Sequence, residues 1–509
     1  MPRALAGCAC ITPLRARAIH GMNLLLALNA PHYLRPFIGA VRQLASRGHR
    51  ITVAWYDDAD KRGELVIRRF ADCPTVRFVT MSSVRSERRV EVGLLRRARN
   101  YARYLDKPFR ASAKLRQRSF TKLVRLAMEE RPKEPPGSDV ALALSPSDVH
   151  RLQETLIWVE SLVPPDPAAT ALIREGGFDA VLVSPLVDLG SSSQVDLVKA
   201  AQALGVPVGL LVYSWDNLTT KGDVHVTPDK VFVWNDRQAT EAIKLHDVPP
   251  ERVVIAGAPR FDEFLACEST VLRKRFLTQL GFDRKAPVVM YVCSSAFVSG
   301  DELPFIRQWL AELRRADLAA VRDCSVIVRP HPDVPLLGPE HAGTKLDFGF
   351  DGSPATVRRP FDDPRAVVLS TSGITTQGLW ECLHHSDAVV GLNTSAEIEA
   401  GLLGCPVLSV LAGDAADGQQ TTLHFHYLLK QHGGFVDVAD SLPQHIEQLG
   451  TVLGADKTTR GNIRRAVLKR AMSFVRPLGA ARPVSELLAD AIEREMAPPA
   501  ISGGAAGPA

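Results

Sequence analysis

Six short polar segments carry the residue types that acid–base and phosphate chemistry need, and each directly follows an apolar run. In Asn29-Ala-Pro-His32-Tyr33, His32 has an ordinary pKa near working pH and is a candidate general base for an acceptor hydroxyl. A His that caps or packs in a first helical turn is the competing reading. Tyr213-Ser-Trp215-Asp216-Asn217-Leu-Thr219-Thr220-Lys221-Gly222 gathers an acid, an amide, two hydroxyls and a Lys, the set a polyhydroxylated substrate requires. Asp216 is the candidate base there, with Trp215, Asn217, Thr219 and Lys221 as substrate contacts; a hydrogen-bonded turn would use the same residues.

The other four segments suit phosphate. In Ala256-Gly257-Ala258-Pro259-Arg260-Phe-Asp262, Gly257 permits close backbone approach and Arg260 offers a fork of donors; helix entry with a surface Arg is the rival. The Cys293-Ser294-Ser295 turn offers hydroxyls and backbone amides to a diphosphate. In Val328-Arg329-Pro330-His331-Pro332, Arg329 and His331 would neutralise phosphate and His331 could protonate a departing one, although a rigid loop alone would explain the prolines. In Gly391-Leu-Asn393-Thr394-Ser395-Ala-Glu397-Ile-Glu399, hydroxyls open a helix whose N-terminus favours anions. Glu397 and Glu399 lie two apart and diverge on a helix, so only one should face a ligand. Gln419 to Tyr427, with His424 and His426, supplies a further polar set.

What must position these residues is an alternation of apolar runs of four to eight residues with helical patterns, the signature of parallel sheets with crossover helices. Strands are expected at 23–29, 50–56, 75–81, 178–184, 207–213, 230–234 and 252–256, then at 287–293, 324–329, 366–369, 388–391 and 407–411. Helices are expected at 33–46, 191–204 and 236–246, then at 302–315, 375–384 and 395–403. In open parallel sheets ligands bind beyond the carboxyl ends of the strands, where all six segments fall. The expected fold class is therefore α/β, two Rossmann-like domains facing a cleft. Residues 1–21 are expected to be a disordered or untranslated leader, with Met22 an alternative start. Residues 22–266 are expected to form an N-terminal Rossmann-like domain, 267–480 a C-terminal one, and 481–509 a terminal helix and disordered tail.

A basic helical insertion, about 84–165 with a Pro-rich linker at 131–137, interrupts the first domain. Between Arg85 and Arg125 fourteen Lys or Arg stand against three acids, interleaved with Tyr101, Tyr104, Phe109 and Phe120. A solvated helical face and a surface for anionic lipid or phosphate both remain open. Over the whole 509 residues the net charge is only +5, with 46% hydrophobic and 23% charged residues, which excludes a general polyanion binder and a disordered chain. No nucleic-acid partner is expected. The apolar run 23–31 falls short of the roughly 20 residues of a membrane span. Cysteines lack metal-ligand spacing, and no metal or other cofactor is expected.

Four of these segments resemble known families. Residues 29–49 resemble the opening of GT-B glycosyltransferases, in which a His after the first strand precedes a Pro-led helix and a Gly-His; Pro36 to Gly48 keeps that spacing, with His32 four residues before Pro36 where the family usually has three. Glu399, Gly404 and Pro406 match the GT-B donor signature, whose Glu binds the nucleotide ribose. Gly257 to Asp262 and Arg329-Pro-His331-Pro are similar to segments of the CDP-glycerol glycerophosphotransferase and capsule polysaccharide group. The resemblance implies a metal-independent glycosyltransferase of the cytoplasm or inner membrane face. It implies a nucleotide-activated donor in the second domain, a polysaccharide or lipid-linked acceptor in the first, and an anionic membrane surface beside the insertion. Polyol-phosphate transfer from CDP-glycerol or CDP-ribitol and a non-catalytic scaffold are the alternatives. A UDP-sugar 2-epimerase shares the architecture without a convincing match to its catalytic carboxylates. Asp362-Asp363 reads as a turn rather than a metal site.

Overall fold

Seven parallel strands make the first sheet of the computed structural model: β1 (Asn23–Leu28), β2 (Arg50–Tyr56), β3 (Val76–Met81), β4 (Ala180–Ser184), β5 (Val208–Leu211), β6 (Lys230–Val233) and β7 (Val253–Ile255). Their order is β3-β2-β1-β4-β5-β6-β7. The structure describes residues 21–56, 62–81, 89–128, 143–190, 192–332, 334, 336–338, 340–348, 355–371, 376–411 and 419–497. The leader, the 131–137 linker and the end of the tail lie outside them. The central strands are covered on both faces, so all five residues of β4 are buried and the strand reads as an unbroken apolar run.

The second sheet holds β8 (Val288–Val292), β9 (Ser325–Arg329), β10 (Thr344–Leu346), β11 (Ala355–Arg358), β12 (Ala366–Thr371), β13 (Ala388–Gly391), β14 (Val407–Val410) and β15 (Val436–Ala439). Its order is β10-β11-β12-β9-β8-β13-β14-β15. Unlike the expected all-parallel sheet, β10 and β11 add an antiparallel edge. Both are short and half polar: Thr344 and Lys345 are exposed, and in β11 only Ala355 and Val357 are buried. β15 was also absent from the sequence reading, because only its end residues are fully buried and no apolar run marks it. The expected helix from Tyr33 instead begins as a 3-10 segment, Pro31–Phe37, and becomes α-helical at Ile38–Ser46. Pro36 inside the segment has no N–H to donate and its ring crowds the preceding turn, which the tighter winding accommodates.

The insertion between β3 and β4 is helical, at Arg89–Arg103, Ala113–Ala127 and Pro146–Leu162. Its basic residues are of two kinds. Arg96, Arg99, Arg103 and Arg116 are buried and face the protein rather than solvent. Arg96 pairs with Glu160 and Asp196, Arg99 with Asp223, and Arg103 donates to the carbonyls of Leu218 and Gly222. The expected single basic face is thus partly a set of internal struts.

The chain then returns. The C-terminal helix Val484–Met496 packs on Ile38–Ser46, with Leu488, Ala489, Ile492 and Met496 in the core beside β1 and β2. Glu493 accepts from Arg47 at 2.8 Å and pairs with His49 at 2.7 Å. At the crossing point the Asp262 carboxylate takes Arg476 (2.6 Å), the Val484 amide (3.1 Å), and both the amide and hydroxyl of Ser485 (2.7 Å each). Gly257 has φ +91°, and a Cβ there would stand 2.9 Å from the Val484 side chain and 3.1 Å from the Val475 carbonyl. The close approach that Gly257 permits is therefore by the protein's own chain. Gly257→Ala should cost about 1–3 kcal/mol, read as a lower urea midpoint with unchanged slope.

Candidate functional site

Strand order reverses at β1/β4 in the first sheet and at β8/β13 in the second. Both reversals open onto one cavity of about 490 Å³. Tyr33 follows β1, Pro185, Val187 and Asp188 follow β4, Tyr213 to Asn217 with Thr220 and Lys221 follow β5, Ser295 and Phe297 follow β8, His331 follows β9, and Asn393 to Ser395 follow β13; all line it, with His424 and Arg118. Nine residues proposed from sequence thus meet: Trp215, Asp216, Asn217, Lys221, Ser295, His331, Asn393, Thr394 and Ser395.

Local hydrogen bonds explain the shape. Asn217 Oδ1 accepts from the Ser214 amide (2.7 Å), closing the loop after β5. Gln194 ties the ends of β1 and β4 together, donating to the Ala27 carbonyl (2.9 Å) and the Ser184 carbonyl (2.7 Å). Asn393 adopts φ +79°, a region Asn tolerates better than other side chains, and its Nδ2 donates to Thr422 Oγ1 at 2.8 Å. Trp215 meets the His424 ring edge-on at 4.5 Å, and Thr219 Oγ1 bonds His424 Nδ1 at 3.0 Å, joining the two domains. Burial lowers the His424 pKa to about 4, so at neutral pH it is an uncharged hydrogen-bonding partner.

The two carboxylates in the cavity differ in kind. Asp216 is ion-paired to Lys221 at 3.2 Å and accepts from Thr220 Oγ1 at 3.1 Å. Burial pushes its pKa up, but Lys221, His424 and the Ser214 hydrogen bond together hold it below the usual carboxylate range. A group so strongly ionised accepts a proton poorly near neutrality. Asp188 has no ion pair among the described residues; its Oδ1 accepts from the Gly190 amide at 2.7 Å. Together with burial it raises the pKa of Tyr33 to about 12. Asp188, Arg118 and Arg35 were not singled out in the sequence. Asp188 could have been, since it lies four residues beyond a strand end; Arg118 belongs to the insertion and no local pattern points from it to the cavity.

The remaining proposed residues lie elsewhere. His32 packs against the Tyr33 ring at 4.3 Å and is not among the cavity's lining residues. Ser294 is buried, its amide donating to Glu302 at 2.6 Å and its hydroxyl to the Leu392 carbonyl at 3.1 Å, so its donors are occupied. Thr219 is likewise buried and occupied. Arg260, Arg329 and Glu399 form a second group. Glu399 is buried, and its charged neighbours are Arg260, Arg329 and Arg35; its carboxyl receives no hydrogen bond among the described residues. Burial raises its pKa and the three guanidinium groups oppose that rise. Arg329 Nη2 donates to Thr371 Oγ1 at 2.7 Å, while its Nη1 is buried without a hydrogen-bond partner among the described residues.

Glu397 turns the other way. Its carboxyl accepts from the Asn393 amide (3.4 Å) and the Thr394 amide (3.2 Å), which occupies the donors expected to hold an anion. The helix behind them, Ala396–Leu402, is only seven residues long.

No family model and no curated protein matches the chain. Among solved structures, UDP-GlcNAc 2-epimerase from Neisseria meningitidis bound to UDP-GlcNAc superposes with a TM-score of 0.52 at 11% identity, covering 93% of this chain and 100% of that one. Another UDP-N-acetylglucosamine 2-epimerase gives 0.50 at 12% identity, covering 93% and 96%. The fold is of the GT-B type. At these identities the likeness is one of fold, and it includes the two facing Rossmann-like domains described above. The calicheamicin glycosyltransferase CalG4 aligns at 15% identity with a TM-score of 0.44, covering 95% of this chain and 100% of that one. No described helix is long and apolar enough to cross a membrane.

Burial raises the Glu397 pKa to about 8, above its ordinary value, so the folded state holds this proton more tightly than the unfolded chain. The stability that proton confers is complete below the unfolded-state value and is lost as pH rises through about 8. Glu241, also raised to about 8 by burial, acts in the same direction. Thermal unfolding should therefore shift downward between pH 6 and pH 9, and Glu397→Gln should flatten that slope and raise the melting temperature at pH 9.

Proposed function

We propose that this protein is a metal-independent glycosyltransferase that binds a nucleotide-activated sugar between its two domains and transfers the sugar to a polysaccharide or lipid-linked acceptor. One observation carries the reading: Glu399 is a buried carboxyl with no hydrogen bond among the described residues, surrounded by Arg260, Arg329 and Arg35. A carboxyl with its hydrogen bonds unused among three guanidinium groups is a site that a ligand carrying both hydroxyls and phosphates can complete. A nucleotide does so: its ribose hydroxyls donate to Glu399, and its diphosphate meets Arg260 and Arg329. The Glu399, Gly404 and Pro406 spacing described above agrees with this assignment.

In the transfer, an acceptor hydroxyl oxygen bonds to the anomeric carbon as the bond from that carbon to the diphosphate oxygen breaks. The hydroxyl proton passes to Asp188, the cavity carboxylate free of an ion pair among the described residues, rather than to His32. Asp216, Asn217, Lys221 and Trp215 orient the sugar hydroxyls. Arg329, Arg260 and His331 receive the negative charge of the leaving diphosphate, and cationic side chains there take the part a metal plays in other transferases. A cytoplasmic location supplies such donors.

Calorimetric titration with UDP, GDP, CDP and CMP tests the donor site. One nucleotide should bind, and Glu399→Gln should weaken it by about 1.5–3 kcal/mol, roughly 10- to 100-fold; binding that is absent in the wild type would leave the scaffold reading. Asp188→Asn should lower kcat by about 100-fold or more while His32→Gln has a small effect. The likeness to an epimerase bound to UDP-GlcNAc favours sugar-nucleotide epimerisation as a second reading. Product analysis separates them: epimerisation leaves the nucleotide attached, glycosyl transfer releases a nucleoside diphosphate, and polyol-phosphate transfer releases CMP.

A further inference from the structure

The inner arginines of the insertion are paired, whereas Arg118, Lys122 and Arg125 make no ion pair among the described residues. Arg118, Lys122 and Arg125 stand at i, i+4 and i+7 of the helix Ala113–Ala127 and so share one face. From the neighbouring helix Arg97 reaches across to donate to the Lys122 carbonyl at 2.7 Å, which adds a fourth positive charge to that face. The Arg97 Nε is buried without a hydrogen-bond partner among the described residues. Arg118 lies over the Phe297 ring, 4.9 Å from its centroid, and lines the cavity. The charged ends of Arg118 and Lys122 make no hydrogen bond or ion pair among the described residues. Burial and the neighbouring Arg118, Arg97 and Arg125 all push the Lys122 pKa down, and Asp188 is the acid that opposes them. With Arg97 and Lys122 both in the field of Asp188, Arg118 lining the cavity and Arg125 one turn further out, positive charge exceeds negative along this face, and like charges at this spacing repel.

The insertion also reaches the second domain. Ser112 Oγ donates to the Thr421 carbonyl at 2.7 Å and Lys114 Nζ to the Val298 carbonyl at 3.1 Å, which ties the start of this helix to that domain, and Arg118 brings one end of the basic face to the cavity. The charges that act most on Lys122 are Asp188, Arg118, Arg97 and Arg125, whereas those that act most on Glu399 are Arg260, Arg329 and Arg35.

We propose that Arg97, Arg118, Lys122 and Arg125 form an anion subsite at the acceptor end of the cavity, holding a phosphate group carried by the acceptor. This deepens the transferase reading and rests on it, since it names the acceptor's chemistry. An Arg fork and a Lys ammonium together match phosphate oxygens through charge-assisted hydrogen bonds, and a bound phosphate relieves the repulsion among the four cations. The same phosphate could belong to a soluble molecule or to a lipid headgroup.

The test compares wild type with Arg97→Gln/Lys122→Gln, two positions outside the cavity lining. Three probes are used: the nucleoside diphosphate that binds best, glycerol 3-phosphate added at saturating nucleotide, and phosphatidylcholine vesicles with and without phosphatidic acid. The variant should bind the nucleotide as wild type does and lose roughly 10-fold or more in affinity for the phosphomonoester. Loss with glycerol 3-phosphate and no vesicle binding by wild type assigns a soluble acceptor. Loss confined to phosphatidic acid vesicles assigns a lipid headgroup. Equal phosphate affinity in wild type and variant overturns the proposal, and so does a parallel loss of nucleotide affinity, which would give the cluster to the donor. If wild type binds no nucleotide, the phosphate titrations are run without it; the transferase reading then fails, while a loss of phosphate binding in the variant still supports the subsite. Melting curves check folding, and where the double variant does not fold, Lys122→Gln and Arg118→Gln are read by the same phosphate titrations.

Discussion

The Asp262 carboxylate is the joint on which the two-domain arrangement depends. Four groups from the returning chain converge on it: the Arg476 guanidinium, two backbone amides and the Ser485 hydroxyl. An ionised carboxylate that accepts several hydrogen bonds is strongly favoured where it stands, and losing it would leave those donors unpaired in a half-buried site. The joint lets the last helix lie on the first domain after the chain has built the second, so both ends of the protein share one core. Gly257 allows the crossing strands to approach closely enough for this. The hydrophobic core continues across the boundary as well, with Trp215, Trp234 and Phe264 of the first domain packed among residues of the second.

With the domains joined in this way, the carboxyl ends of two parallel sheets face each other, and polar residues that would be scattered along the chain become neighbours. Their electrostatics then divide the work. Asp216 is neutralised by Lys221 and serves as a fixed acceptor for hydroxyls, whereas Asp188 lacks such a partner among the described residues. The same division separates Glu397 and Glu399. One is turned inward onto two backbone amides and the other toward three arginines, as the divergence of positions two apart on a helix requires.

The insertion shows one residue type in two roles. Arginines that reach acids or carbonyls at the first domain's core act as struts, because a guanidinium can satisfy several buried acceptors at once. Those one face away make no ion pair among the described residues. Counting basic residues along the chain merges the two, since both kinds alternate within a few positions of each other.

The sequence by itself determined the fold class and the strand ends at which chemistry would gather, because strands buried on both faces must be continuous apolar runs and their polar exits stand out. β2 and β13 and the helix Asp236–His246 are legible to the residue for this reason. Short edge elements were not legible: β10 and β11 carry too few apolar residues to mark themselves, and the four residues of β15 are broken by Asp437. Only the tertiary structure decided which exits share a cavity, that Ser294 and Thr219 are occupied by protein partners, and that Asp262 serves the chain's return. Those outcomes depend on contacts between residues up to 223 positions apart, and local periodicity carries no information about partners at that distance.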